Sequence, residues 1–166
     1  MSKPTPIATE RALVKQFLGA IGTPCGGPCR AVTTEFDYQS GRTDVLALSS
    51  AGELVAFEAK LSDWRKALHQ AWRNTSYAQR AFVVMPKKNA ASAIANLSAF
   101  VTLGVGFCVV DGTGLVTTLV DSSSFDPVIP WLHQKARLSL EQRAAKSASR
   151  RRRSAHLRLQ ALCAGP

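Results

Sequence analysis

Asp44, Glu58 and Lys60 are two acids and a base carried on two otherwise apolar stretches, Arg-Thr-Asp-Val-Leu-Ala-Leu (42–48) and Glu-Leu-Val-Ala-Phe-Glu-Ala-Lys (53–60). Both stretches read as β-strands, joined by a Ser-Ser-Ala-Gly turn (49–52). Side chains alternate faces along a strand, so Glu58 and Lys60 share one side and Phe57 and Ala59 the other. A hairpin folded about 50–52 sets Asp44 opposite Phe57 or Glu58, bringing two carboxylates together. Like charges facing each other across strands are destabilising, and buried charges are rarely kept without a partner. Two resolutions follow. In one, Lys60 neutralises Glu58, and Asp44 pairs with Arg42 or caps a turn. In the other, both carboxylates are oxygen ligands for Mg2+, which takes one or two carboxylates and completes its shell with water and phosphate. Lys60 beside such an ion would orient or deprotonate a water and offset charge on a phosphoryl group. Spacing alone favours the first, since Glu-x-Lys is common on strands.

The elements that must position these residues can be read along the chain. Thr9 caps a helix starting at Glu10, with Leu13, Phe17 and Ala20 at helical spacing. The Gly/Pro/Cys stretch 22–28 is a loop. Residues 31–38 form a first strand, 43–48 a second and 53–60 a third. Ser62 or Asp63 caps a helix reaching about Tyr77, with Trp64, Leu68, Ala71 and Trp72 as one stripe. Trp64 and Trp72 could stack on bases, but sharing one stripe makes core packing the expectation for both. A wholly apolar run, 81–85, suits a strand covered on both faces. A helix over 90–103 and strands near 107–110 and 115–120 follow, with Asp-Gly-Thr-Gly (111–114) as a hairpin turn. The order α-β-β-β-α-β-α-β-β implies an α/β fold, a mixed sheet flanked by helices, with a basic helical or disordered C-terminal tail. The expected division is a domain over 1–134 and a tail over 135–166.

At Asp44 and Glu58-Ala59-Lys60 the chain resembles the PD-(D/E)XK nuclease superfamily, the fold of many restriction enzymes, junction resolvases and repair nucleases. The resemblance spans roughly residues 10–85 and includes the α-β-β-β-α-β order of that core. Thr43 stands where the family name has proline. The resemblance implies a restriction-endonuclease-like core and a Mg2+-dependent (or Mn2+-dependent) deoxyribonuclease, most simply an endonuclease. It makes Asp44 and Glu58 metal ligands, helped by the Ala59 carbonyl, and Lys60 the catalytic lysine. Glu10 matches a first-helix glutamate used by many members. Gln70 matches a glutamine on the helix after the lysine, and Tyr77 is a further candidate. Many enzymes of this fold act as dimers, so a homodimer is an expectation. A catalytically silent nucleic-acid-binding module on the same fold is the alternative.

Charge points to the same partner class. The chain of 166 residues carries a net charge of +10 and is 46% hydrophobic. From Lys135 onward nine basic residues face Glu141 alone, a net of +8, which leaves residues 1–134 near +2. The run Arg150, Arg151, Arg152, Arg153 suits a phosphate backbone, where cations displace condensed counterions; its other reading is a solvated tail. Arg65, Lys66 and Arg73 after Lys60 are phosphate-contact candidates, or the wet face of their helix. Glu35 and Asp37 are further acidic candidates on the first strand. No histidine stands at metal-ligand spacing. Cys25 and Cys29 lack a second Cys/His pair at zinc spacing, so a free-thiol loop is expected, with Cys108 as a buried thiol. The chain is too apolar for disorder and lacks an apolar run near the roughly 18 residues of a membrane span. Its first residues lack the apolar stretch of a secretory signal, which leads to a cytoplasmic expectation.

Overall fold

The structure, a computed structural model, describes residues 7–21, 27–38 and 41–163, with side chains described to residue 150. Its elements are α1 (Glu10–Ala20), β1 (Cys29–Tyr38), β2 (Gly41–Ser49), β3 (Leu54–Ala59), α2 (Trp64–Asn74), β4 (Arg80–Pro86), a 3-10 turn (Lys87–Asn89), α3 (Ala91–Ile94), α4 (Leu97–Leu103), β5 (Gly106–Val110), β6 (Val116–Val120) and α5 (Pro130–Cys163). The six strands form one sheet in the order β1-β2-β3-β4-β5-β6. β1, β2 and β3 are an antiparallel meander, β3-β4 and β4-β5 are parallel, and β5-β6 is antiparallel. This is the expected mixed α/β fold, and it is compatible with a restriction-endonuclease-like core.

The alternation of each strand sorts its side chains between two cores. Leu46, Leu48, Leu54, Ala56, Val83, Met85, Phe107 and Val109 face a layer built from α2, α3, α4 and the first part of α5. Val45, Ala47, Val55, Phe57, Val84 and Val110 face the opposite way, onto Leu13 and Phe17 of α1. β3 and β4 are buried almost throughout, as central strands covered on both faces must be. The β2–β3 turn is closed by a hydrogen bond from Gly52 N to Ser49 O (3.0 Å), with Gly52 at a φ of +88° that disfavours any other residue.

Thr9 caps α1, its Oγ1 accepting from Ala12 N at 3.1 Å, and Asp63 caps α2 by accepting from Lys66 N at 3.1 Å. Several elements differ from the sequence reading. α2 stops at Asn74 rather than Tyr77. The helix expected over 90–103 is two helices: Asn96 leaves the helical region, and its side-chain amide donates to Ser92 O (2.8 Å). α5 begins at Pro130, and its Leu132, Ala136 and Leu140 are core residues. The 134/135 boundary thus falls inside a helix whose first turns pack on the sheet. Cys108 is wholly buried as expected but is disulfide-bonded rather than a thiol, whereas Cys29 is free. Cys25 and Ser40 lie outside the described residues. No helix among the described residues is long and apolar enough to cross a membrane.

Candidate active site

The β2–β3 register brings the two acids together. Val45 pairs with Phe57 and Leu46 with Ala56, so one step further along Asp44 comes level with Glu58. The even-numbered residues of β3 (54 and 56) face the α2 side, and Glu58 continues that series to meet Asn74 of α2. Asp44 Oδ2 accepts from Ala59 N across the ladder at 2.9 Å. The carboxyl groups are close enough for a protonated Glu58 to donate to Asp44.

Glu58 is 2% exposed. Burial, and next the charge of Asp44, push its pKa up from 4.5 to about 8, against the opposing pull of Asn74 and Lys60. Burial also raises Asp44, opposed by the Ala59 N–H and the Lys60 charge. Neither acid has found the lone cation of the simple ion-pair resolution. Arg42 instead meets Glu35, with Nη1 to Oε1 at 3.9 Å, and Lys60 Nζ meets Glu10 at 3.2 Å.

Glu10 therefore does reach the site, carried there by the N-terminal turn of α1 and held by Lys60. Lys60 lies just past β3, where its N–H bonds to Val84 O (3.0 Å) and extends the β3–β4 ladder. Glu35 and Asp37 are exposed on the outer strand β1. Glu35 adopts a φ of +54°, between the pairs Thr34–Val45 and Phe36–Thr43, a conformation uncommon for a residue with a Cβ.

A residue not singled out in the sequence holds Glu58 in place. Asn74, 1% exposed at the end of α2, donates from Nδ2 to Glu58 Oε1 at 2.6 Å. Its Oδ1 accepts from Thr43 Oγ1 and from the Tyr38 hydroxyl, each at 3.2 Å. Thr43 also meets the Tyr77 hydroxyl at 2.7 Å. Tyr77 thus supports the network from below through Thr43. Burial raises the pKa of both tyrosines, and the charge of Arg73 partly offsets this for Tyr38. The available signal was a polar residue at the next position of the apolar series 64, 67, 68, 71.

Gln70 lies one helical turn before Asn74 on the same side of α2, and its Oε1 is buried without a hydrogen-bond partner among the described residues. Arg65 stacks over the Trp64 ring at 4.3 Å, and Arg65, Lys66 and Arg73 are all exposed. Arg150 is exposed on α5; the side chains of Arg151, Arg152 and Arg153 lie outside the described residues. Trp72 is 46% exposed, not core: eight residues advance a helix by about 80° beyond two full turns, enough to leave the stripe headed by Trp64.

Among the described residues no group of three or more His, Cys, Asp or Glu side chains gathers as a metal cage. Two adjacent carboxylates are nonetheless a donor pair that suits Mg2+, which needs few protein ligands, better than it suits a metal held by a full protein shell. No known sequence family matches the chain, and no curated protein does. Among solved structures it is similar to a protein of unknown function from Silicibacter pomeroyi, at 19% identity and a TM-score of 0.49, covering 75% of this chain and 78% of that one. It is also similar to a repair endonuclease from Pyrococcus abyssi, at 21% identity and a TM-score of 0.36, covering 48% of this chain and 37% of that one.

Proposed function

We propose that the protein is a metal-dependent nuclease of the PD-(D/E)XK type that hydrolyses phosphodiester bonds in DNA. The observation that carries this reading is the pair Asp44 and Glu58, side by side at the end of a hairpin, with Lys60 one residue past the strand. Asp44 and Glu58, with the Ala59 carbonyl, would hold a Mg2+ or Mn2+ ion, which when bound supplies an activated water and offsets charge at phosphorus. The protein's own contribution is placement. The Ala59 N–H fixes one oxygen of Asp44, and Asn74 fixes one oxygen of Glu58, leaving each acid a second oxygen for a ligand. Lys60 brings a cation to the strand end, where it orients a water or meets charge developing on the phosphoryl oxygens. Glu10 holds the ammonium there in the resting protein. Exposed Arg65 and Lys66 on the first turn of α2 supply phosphate contacts beside it.

The test is cleavage of labelled DNA with Mg2+ by the full chain and by Asp44→Ala and Lys60→Ala. Both variants are expected to lose at least about a hundredfold in rate, the scale of a catalytic proton-transfer or charge-stabilising group. Cleavage unchanged in both overturns the reading. Salt-dependent DNA binding with no cleavage by the wild type leaves the silent binding module instead.

A further inference from the structure

A cavity of about 620 Å3 opens where β1, the end of α2 and the start of α5 meet, with Tyr38, Trp72, Arg73, Asp126 and Trp131 in its lining. Its volume is within the range of small-ligand sites, roughly 300–1,000 Å3. Trp72 and Trp131 are 46% and 54% exposed, although Leu68 and Ala71 of α2 and Leu132, Ala136 and Leu140 of α5 are buried in the core. About half of each tryptophan is left outside the core. The connecting segment that closes the cavity is pinned by Phe125 N to Gln79 O (2.8 Å) and Ile129 N to Ser76 O (2.9 Å), so the opening is built into the fold.

Tyr38 joins this cavity to the candidate active site. Its ring lines the cavity, while its hydroxyl donates to Asn74 Oδ1, and Asn74 donates in turn to Glu58. Two hydrogen bonds therefore separate the cavity wall from the buried acid. Arg73, the neighbour of Asn74, contributes a cation to the same lining and Asp126 a carboxylate. α5 starts at the cavity and continues into the most cationic part of the chain. An occupant that stacks on flat aromatic faces, meets a guanidinium and runs on beside a polycation is a nucleotide in a polyanionic strand.

We propose that this cavity receives an unstacked nucleobase of a strand passing the Asp44, Glu58 and Lys60 site, so that the substrate class is nucleic acid with unpaired nucleotides rather than a fully paired duplex. The inference rests on the nuclease reading of that site, and it is tested by binding rather than turnover. The probe is a dye-labelled mixed-sequence single strand, compared with its blunt duplex, titrated with the full chain in EDTA. The single strand is expected to bind the wild type more tightly than the duplex does. Trp72→Ala and Trp131→Ala are each expected to weaken the single strand about tenfold, the scale of one lost base–aromatic stack, and to leave duplex binding unchanged. Trp72→Phe, which keeps a stacking face, is expected to retain most of the affinity. Unlabelled single strand is also expected to quench the tryptophan emission of the wild type, a readout that needs no variant. The cavity proposal is overturned if both alanine variants bind the single strand like the wild type, if single strand and duplex are weakened alike, or if emission is unquenched at saturation. Cleavage that persists with any of these results overturns the cavity alone. Tryptophan-dependent single-strand binding without cleavage removes the nuclease reading and leaves a base-binding site.

Discussion

Glu58 shows how one side chain can tie the chemistry of a site to the stability of the fold. Its pKa, raised to about 8 by burial and the adjacent Asp44, lies above the 4.5 of a free glutamate. Between those values the metal-free folded protein keeps a proton that the unfolded chain has released. Raising the pH across that window therefore favours unfolding, and the stabilisation is lost as pH rises through about 8. The urea midpoint of the metal-free protein is expected to fall from pH 5 to pH 8. Glu58→Gln, which keeps the shape and the bond to Asn74 without the ionisation, is expected to flatten that slope and to be more stable than the wild type at pH 8. A midpoint equally pH-dependent in both proteins would refute this account of Glu58.

At the level of elements, two junctions carry the site. α2 ends in Asn74, whose amide joins the helix to β3 through Glu58 and to β1 and β2 through Tyr38 and Thr43. Asn74→Ala leaves those partners buried and unpaired. It is expected to lower unfolding free energy by about 1–3 kcal/mol in urea titrations and to loosen Glu58. The parallel pair β4–β5 depends on Gly106, where a Cβ would stand 2.1 Å from Phe82 Cδ1. Gly106→Ala is expected to cost about 1–3 kcal/mol by overpacking, measured the same way, with the Phe82 ring forced against Phe57 behind it.

Considered as a whole molecule, the chain separates a nearly neutral body from a cationic helix that is anchored in it. α5 buries Leu132, Ala136 and Leu140 against the sheet, so removing 130–166 is expected to abolish cooperative unfolding, seen as loss of the thermal transition. Removing 151–166 deletes four arginines and none of those core residues. That shorter protein is expected to melt like the full chain and to bind duplex DNA with a salt slope lower by up to about 3.6, if all four arginines meet phosphates. An unchanged slope would make the arginine run a solvated end of the helix.

The amino-acid sequence by itself determined the element order, the turn at 49–52 and the placing of Asp44 near Glu58, because strand alternation and a short turn constrain register locally. It also marked the tail as cationic, since charge needs no fold to be counted. Only the tertiary structure decided that Glu58 lies on the α2 side, that Glu10 rather than either acid of the pair meets Lys60, and that Asn74 holds Glu58. Those contacts join residues 16 to 50 positions apart, and no local periodicity reports which distant partner fills a buried hydrogen bond. The exposure of Trp72 and Trp131 was hidden for the same reason: an indole reads as core in any apolar stripe until the neighbouring elements are seen to leave one face of it open.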